Sequence, residues 1–234
     1  MSKKQALTEF HRGSILAAAE RLFTEKGTER TTMDDIAREA EYSKATLYVY
    51  FQSKEEIINA ILLSGMLLLK TRIHEAVESH SGWFEAYDAL CQAIVRFCQE
   101  NPTAYEAATG VVSASGGEPS KSRSDILRVN REIDQELCAF LTRGVEAGVV
   151  RLQLPPEEIV LLFWSALGGM VRTANSRSEY IQENVGLDRA AYLRHGAQLL
   201  LCALTNLDPG NGNTIFQPDC QKTLWPKDSE GENS

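Results

Sequence analysis

The chain lacks the signatures that most quickly assign a protein to a class. It holds no HExxH and no CxxC, and its four histidines (His11, His74, His80, His195) are scattered, so nothing points to a metal. GxSxG, a P-loop and a Rossmann glycine pattern are all missing, which leaves no enzyme constellation legible and implies no cofactor. Five cysteines (Cys91, Cys98, Cys138, Cys202, Cys220) make an odd count without a disulfide framework, which suits reduced thiols. The most apolar stretch, "IINAILLSGMLLLK", ends at Lys70 after about 13 residues, too short to span a bilayer. The opening "MSKKQALTEF" has no apolar segment of a signal peptide, so a cytoplasmic protein is expected.

Excess positive charge is absent too. The 234 residues carry a net charge of −8, which excludes nucleic-acid binding by bulk charge. The deficit is uneven: residues 1–60 hold nine Lys/Arg and ten Asp/Glu, whereas the remainder accounts for −7. Any contact with nucleic acid must therefore use a local cluster of donors on a nearly neutral N-terminal module.

What is present is helical periodicity. Phe10, Ile15, Ala18, Ala19, Leu22 and Phe23 predict a helix over 8–26, with Gly27 free to take positive φ at its end. Thr32 followed by Asp34 and Asp35 supplies a hydroxyl N-cap and first-turn acids for a short second helix. Ser43 caps a third short helix with Leu47 and Phe51 inward, and Ser53 caps a fourth. Helix, short helix, tight turn, short helix is the layout of a helix-turn-helix. Further helices are expected over 83–100, up to about 108, over 125–147, after the prolines at 155–156, and over 188–204. The Gly/Ser/Pro-rich residues 110–124 read as a mobile loop, and the segment after Asn206 as a poorly ordered tail from which Trp225 could dock. The expected fold is all-α with about nine helices, divided into a helix-turn-helix domain (1–53), a larger helical domain (54–206) and a tail (207–234).

The third helix leaves Lys44, Thr46, Tyr48, Val49 and Tyr50 around its open side. Short methyl-bearing side chains can touch thymine methyls in a major groove, and hydroxyls and amines can reach phosphates.

The stretch "ILAAAERLFTEKGTERTTMDDIAREAEYSKATLYVYFQSKEEII" resembles the DNA-binding domain of the tetracycline-repressor (TetR) family, across about residues 10–58. That resemblance implies that Thr32, Ser43, Lys44, Ala45, Thr46, Tyr48, Val49, Tyr50 and Lys54 face DNA, with Tyr48 and Lys54 anchoring phosphate and Leu47 and Phe51 buried. It also implies a homodimer on an operator of two-fold related half-sites. Two positions depart from the pattern: Glu41 stands where the turn usually has glycine, and Ala45 where glycine is common.

Small residues recurring on the late helices, Ser165, Gly169 and Thr173 with Gly196, Leu200 and Ala203, mark a candidate dimer surface. Tyr87, Phe97, Tyr105, Arg128, Trp164 and Met170 are candidates to line a pocket for a small-molecule effector. The expected function is thus a DNA-binding transcriptional regulator, a repressor released by a ligand. The alternative is a thiol-redox regulator using Cys91 and Cys98, seven apart on one helical face.

Overall fold

A computed structural model describes residues 2–108 and 121–205. Residues 110–120 of the loop expected over 110–124, and the tail with Cys220 and Trp225, lie outside the described residues, whereas 121–124 are not loop but the first turn of a helix that begins at Lys121, four residues earlier than expected. The described residues form ten helices and no strand: α1 (Lys3–Lys26), α2 (Met33–Glu39), α3 (Lys44–Tyr50), α4 (Lys54–Glu78), α5 (Trp83–Glu100), α6 (Pro102–Ala108), α7 (Lys121–Glu146), α8 (Pro156–Ser176), α9 (Ser178–Val185) and α10 (Arg189–Thr205). The all-α expectation holds. The tenth helix is α9, a short polar element of which Ile181 is the buried residue. α1 begins five residues earlier than expected, because Ser2 and Gln5 form a reciprocal capping box there.

The described residues fall into two compact units, those of Met1–Arg72 with Arg96–Glu132 and those of Ile73–Val95 with Ile133–Ser234. α4, α5 and α7 each contribute residues to both. α4 is long and apolar enough to cross a bilayer by length and composition, a property the sequence reading does not credit to it. Ile57, Ile61, Leu69 and Ile73 on it are nonetheless buried against protein.

In the first unit, Ile15, Ala18, Ala19 and Phe23 of α1 pack with Ile36 and Ala37 of α2 and with Leu47 and Phe51 at α3. The chain leaves α1 through Gly27 at φ 82°, and the buried Thr31 hydroxyl donates to the Gly27 carbonyl at 2.8 Å. A Cβ at Gly65 would fall 2.5 Å from that of Ala104, so the missing side chain lets α4 and α6 approach closely.

In the second unit, Trp83 stacks on Phe140 at 4.8 Å and donates its indole N–H to the Phe140 carbonyl at 3.0 Å. Tyr87 donates its hydroxyl to the Ala197 carbonyl at 2.8 Å. α8 and α10 pack along Val160, Leu167, Val171, Leu193, Ala197 and Leu201.

Candidate nucleic-acid interface

The local chemistry of α2 and α3 fixes where their side chains can go. Thr32 accepts from the Asp35 amide at 3.1 Å while the Asp35 carboxylate accepts from the Thr32 amide at 3.0 Å, a reciprocal cap at the start of α2. The Thr32 hydroxyl also donates to that carboxylate at 2.8 Å. Lys26 at 2.9 Å and Arg38 at 2.7 Å add charge to the same group. The Lys26 contact first, and the Thr32 bonds after it, hold the Asp35 carboxyl well below the usual carboxylate range.

Between α2 and α3 the backbone turns through Glu41 at φ 61°. The Tyr42 amide donates to the Ala37 carbonyl at 2.9 Å and the Glu41 amide to that of Arg38 at 3.2 Å, the bond pair of a Schellman cap. Glutamate thus occupies a left-handed position that glycine takes without steric cost. Ser43 then caps α3 by accepting from the Thr46 amide at 3.1 Å, and the two hydroxyls lie 2.8 Å apart.

α1 braces both ends of α3. His11 Nδ1 lies 2.6 Å from the Tyr42 hydroxyl, and the His11 ring sits 5.5 Å from that of Tyr50. Arg12 donates to the Tyr50 carbonyl at 2.7 Å and lies 4.1 Å over the Phe51 ring. These long-range contacts fix α3 and are invisible in sequence spacing.

With Leu47 and Phe51 fully buried, Lys44, Tyr48 and Val49 face outward as the spacing predicts, whereas Tyr50, expected on the open side, turns partly toward the His11 ring of α1. Lys44, Ala45, Tyr48 and Val49 are exposed, Val49 by 75%, while Thr46 and Tyr50 are half-buried. Lys44 is held by Asp34 of α2 at 2.8 Å. Lys54 differs from a free phosphate anchor, because its ammonium donates to the carbonyls of Thr28 at 2.8 Å and Thr31 at 3.2 Å. Two of its three N–H groups tie α4 to the α1–α2 connection, which leaves one for a phosphate.

The six pocket candidates do not gather in one cavity within either unit. Phe97 packs beside Gly65 in the first unit, where Arg128 is paired with Glu132 at 2.8 Å. Met170 fills the space that a side chain at Gly196 would need. The second unit does hold a small apolar cavity, about 20 Å³, lined by Tyr87, Leu90, Leu137, Phe140, Phe163 and Leu204 among others. Tyr87 is the one candidate there. Leu137, Phe140 and Phe163 escape the sequence reading because their spacing is that of any core helix.

The dimer candidates divide as well. Gly196 serves a contact inside the chain, whereas Ser165 and Gly169 are exposed and a Cβ on Gly169 would meet nothing. Beside them Leu161 and Leu162 of α8 and Leu199 of α10 stand open to water. Thr173 and Leu200 are half-buried and Ala203 is exposed.

Nothing among the described residues supports the redox alternative. Cys91 and Cys98 are both enclosed, and desolvation pushes the Cys91 thiol up to about 12. Burial in apolar surroundings disfavours the thiolate, which is the reactive form of the group.

Comparison with known proteins adds an independent line. The profile for "Bacterial regulatory proteins, tetR family" matches residues 15–61, the segment from mid-α1 into α4. The HTH-type transcriptional regulator HbdR of Aromatoleum sp. (strain CIB) is 35% identical over 92 residues, 39% of each chain. The chain spans about half the length, or less, of the curated relatives it matches. Among solved structures, the TetR family transcriptional regulator PfmR from Thermus thermophilus is 30% identical, with a TM-score of 0.63 over 80% of this chain and 96% of that one. FadR from Bacillus subtilis, solved in complex with stearoyl-CoA, shares the fold with a TM-score of 0.64 at 18% identity, over 82% of this chain and 98% of that one.

Proposed function

The chain belongs to the TetR family of bacterial transcriptional regulators, and from that premise we propose that it is a homodimeric, cytoplasmic repressor whose grip on its operator is loosened by a small molecule. The observation that carries the DNA half is the recognition helix. α3 is capped by Ser43, buried through Leu47 and Phe51, braced by Arg12, and left open at Lys44, Ala45, Tyr48 and Val49. A rigid helix with such a face enters a major groove, where Thr46 and Val49 meet base edges and Tyr48 and Lys54 meet phosphates. Thr32 and Ser43 hold the two helices in register through their caps, and Tyr50 holds α3 against α1.

One such helix reads too few bases for useful specificity, so two copies act on related half-sites. The exposed Leu161, Leu162 and Leu199 beside Ser165, Gly169 and Ala203 support pairing of α8 and α10 with a second copy in a four-helix bundle. The effector half rests on the likeness to FadR, solved in complex with stearoyl-CoA, because the cavity at Tyr87 and Phe140, about 20 Å³, has room for little more than one water. Such a ligand acts by preferring a conformation in which the paired recognition helices no longer match successive major grooves, and α4, one of three helices shared by both units and the one that begins beside the recognition module, passes the change on.

The test is selection of bound duplexes from a random DNA pool, followed by titration at two salt concentrations. A two-fold symmetric site with steeply salt-dependent affinity is expected. Thr46→Ala should change base preference, whereas Tyr48→Phe should weaken binding to all sequences by about 1–3 kcal/mol. Folded protein that enriches no site at low salt overturns the reading.

A further inference from the structure

The recognition module keeps most of its positive charge occupied, seven of nine cationic side chains. Of the nine Lys and Arg residues in 1–60, Arg21 pairs with Glu39, Lys26 and Arg38 with Asp35, and Lys44 with Asp34. Arg12, Arg30 and Lys54 donate to backbone carbonyls. Only one of these pairings joins a carboxylate to the open side of α3. Asp34 Oδ1 lies 2.8 Å and Oδ2 3.1 Å from the Lys44 ammonium, and both side chains are about 60% exposed, at 63% and 59%. The pair therefore stands in solvent beside the base-reading helix, with an acceptor and a donor next to each other.

An exposed carboxylate beside a DNA-binding helix is costly for backbone binding, since it repels phosphates and occupies a lysine that would otherwise neutralise one. The same arrangement matches one base pair. In the major groove a G·C pair presents the guanine O6 and N7 acceptors next to the cytosine N4 amino donor. Lysine donates to the first pair of atoms and aspartate accepts from the second group. The two side chains of this ion pair are already placed as neighbours, as those two base edges are.

Resting on the reading that α3 enters the major groove, we propose that Asp34 is a specificity-determining residue that, with Lys44, reads one G·C pair in each half-site. On sites lacking that pair, Asp34 keeps Lys44 from phosphate and weakens binding. The carboxylate thus acts twice, once as an acceptor for cytosine and once as a guard against non-specific contacts.

The experiment repeats the selection with full-length wild type, Asp34→Ala, Asp34→Glu and Lys44→Ala, after circular dichroism has established that each is folded. Wild type should show one guanine or cytosine position per half-site whose preference drops about tenfold or more in Asp34→Ala, which removes the acceptor. Asp34→Glu should retain the base preference, since the carboxylate acceptor is kept. Binding of Asp34→Ala to a non-cognate duplex should tighten, with a salt slope steeper by about 0.9, the value for one added phosphate contact. Lys44→Ala should relax the same position as Asp34→Ala. An Asp34→Ala variant that keeps wild-type preference at every position overturns the proposal, whatever happens to its affinity. If wild type itself selects no site, the DNA-binding reading fails first and is distinguished by that result. A brace that only joined α2 to α3 would lower stability and leave base preference unchanged.

Discussion

The recognition module and the pair α8 and α10 both leave apolar side chains in water, yet they frame them differently. Val49 is 75% exposed on a helix of seven residues whose surroundings are capping hydroxyls and ion pairs: Ser43 with Thr46, Lys44 with Asp34, Thr32 with Asp35. Leu161, Leu162 and Leu199 stand on helices of 21 and 17 residues among Ser165, Gly169 and Ala203. An isolated apolar contact within a polar frame suits a partner that is itself mostly polar, as a major groove is with its scattered thymine methyls. A broad strip of leucines and small residues suits another strip like it. Exposure alone does not tell what a surface binds; the neighbours of the exposed residue do.

The sharpest way to break this comparison is to exchange inside for outside on α3. Phe51 is fully buried and lies under the Arg12 guanidinium, so Phe51→Ala should cost about 3–5 kcal/mol of stability, read by urea denaturation. Val49→Ala should leave stability within about 0.5 kcal/mol, because it removes only exposed surface, while altering DNA affinity. Equal losses from the two would mean that α3 does not present the face assigned to it.

The next effect tests the second region. If the strip on α8 is covered by its counterpart in a second copy, Leu161→Glu should lose about 1.5–3 kcal/mol of apolar burial per copy and place a carboxylate in the seam. Light scattering should then report a monomer where wild type gives a dimer, and operator affinity should fall with it. The monomer's own folding should be unaffected, since Leu161 is 69% exposed within the chain. A dimeric Leu161→Glu would remove this face from the interface.

How much of this is legible beforehand follows the same division. The caps at Thr32 and Ser43, the glycine at Gly27 and the burial of Leu47 and Phe51 are short-range consequences of residue identity, and each stands in the structure as the spacing predicts. Lys54 on the carbonyls of Thr28 and Thr31, Arg12 on that of Tyr50 and Lys44 on Asp34 join residues 10 to 38 apart, and no local pattern announces them. In the later helices the difficulty is degeneracy. Phe97, Met170 and Phe140 all sit at helical spacing, and periodicity cannot tell a cavity wall from the filler of a glycine notch such as Gly196. The start of α1 is hidden because residues 3–9 carry only Ala6 and Leu7 as apolar side chains, too few to continue the stripe, and what starts the helix there is the polar capping box of Ser2 and Gln5.

The smallest expected effect lies at the turn, where the sequence departs from the family's usual glycine. Glu41 holds φ 61° because two backbone bonds of the Schellman cap, from Tyr42 to Ala37 and from Glu41 to Arg38, require the chain to reverse there. A side chain in the left-handed region meets its own carbonyl, at a cost of about 1–2 kcal/mol. Glu41→Gly removes that strain and also loosens the unfolded chain, which offsets part of the gain. The variant should therefore be more stable by about 1 kcal/mol, seen as a higher urea midpoint at unchanged slope, with the operator sequence unaltered. The sign is the informative part. A loss of stability would show that the Glu41 carboxylate contributes more to the turn than its backbone strain removes, and that the polar frame of the recognition module extends into the turn itself.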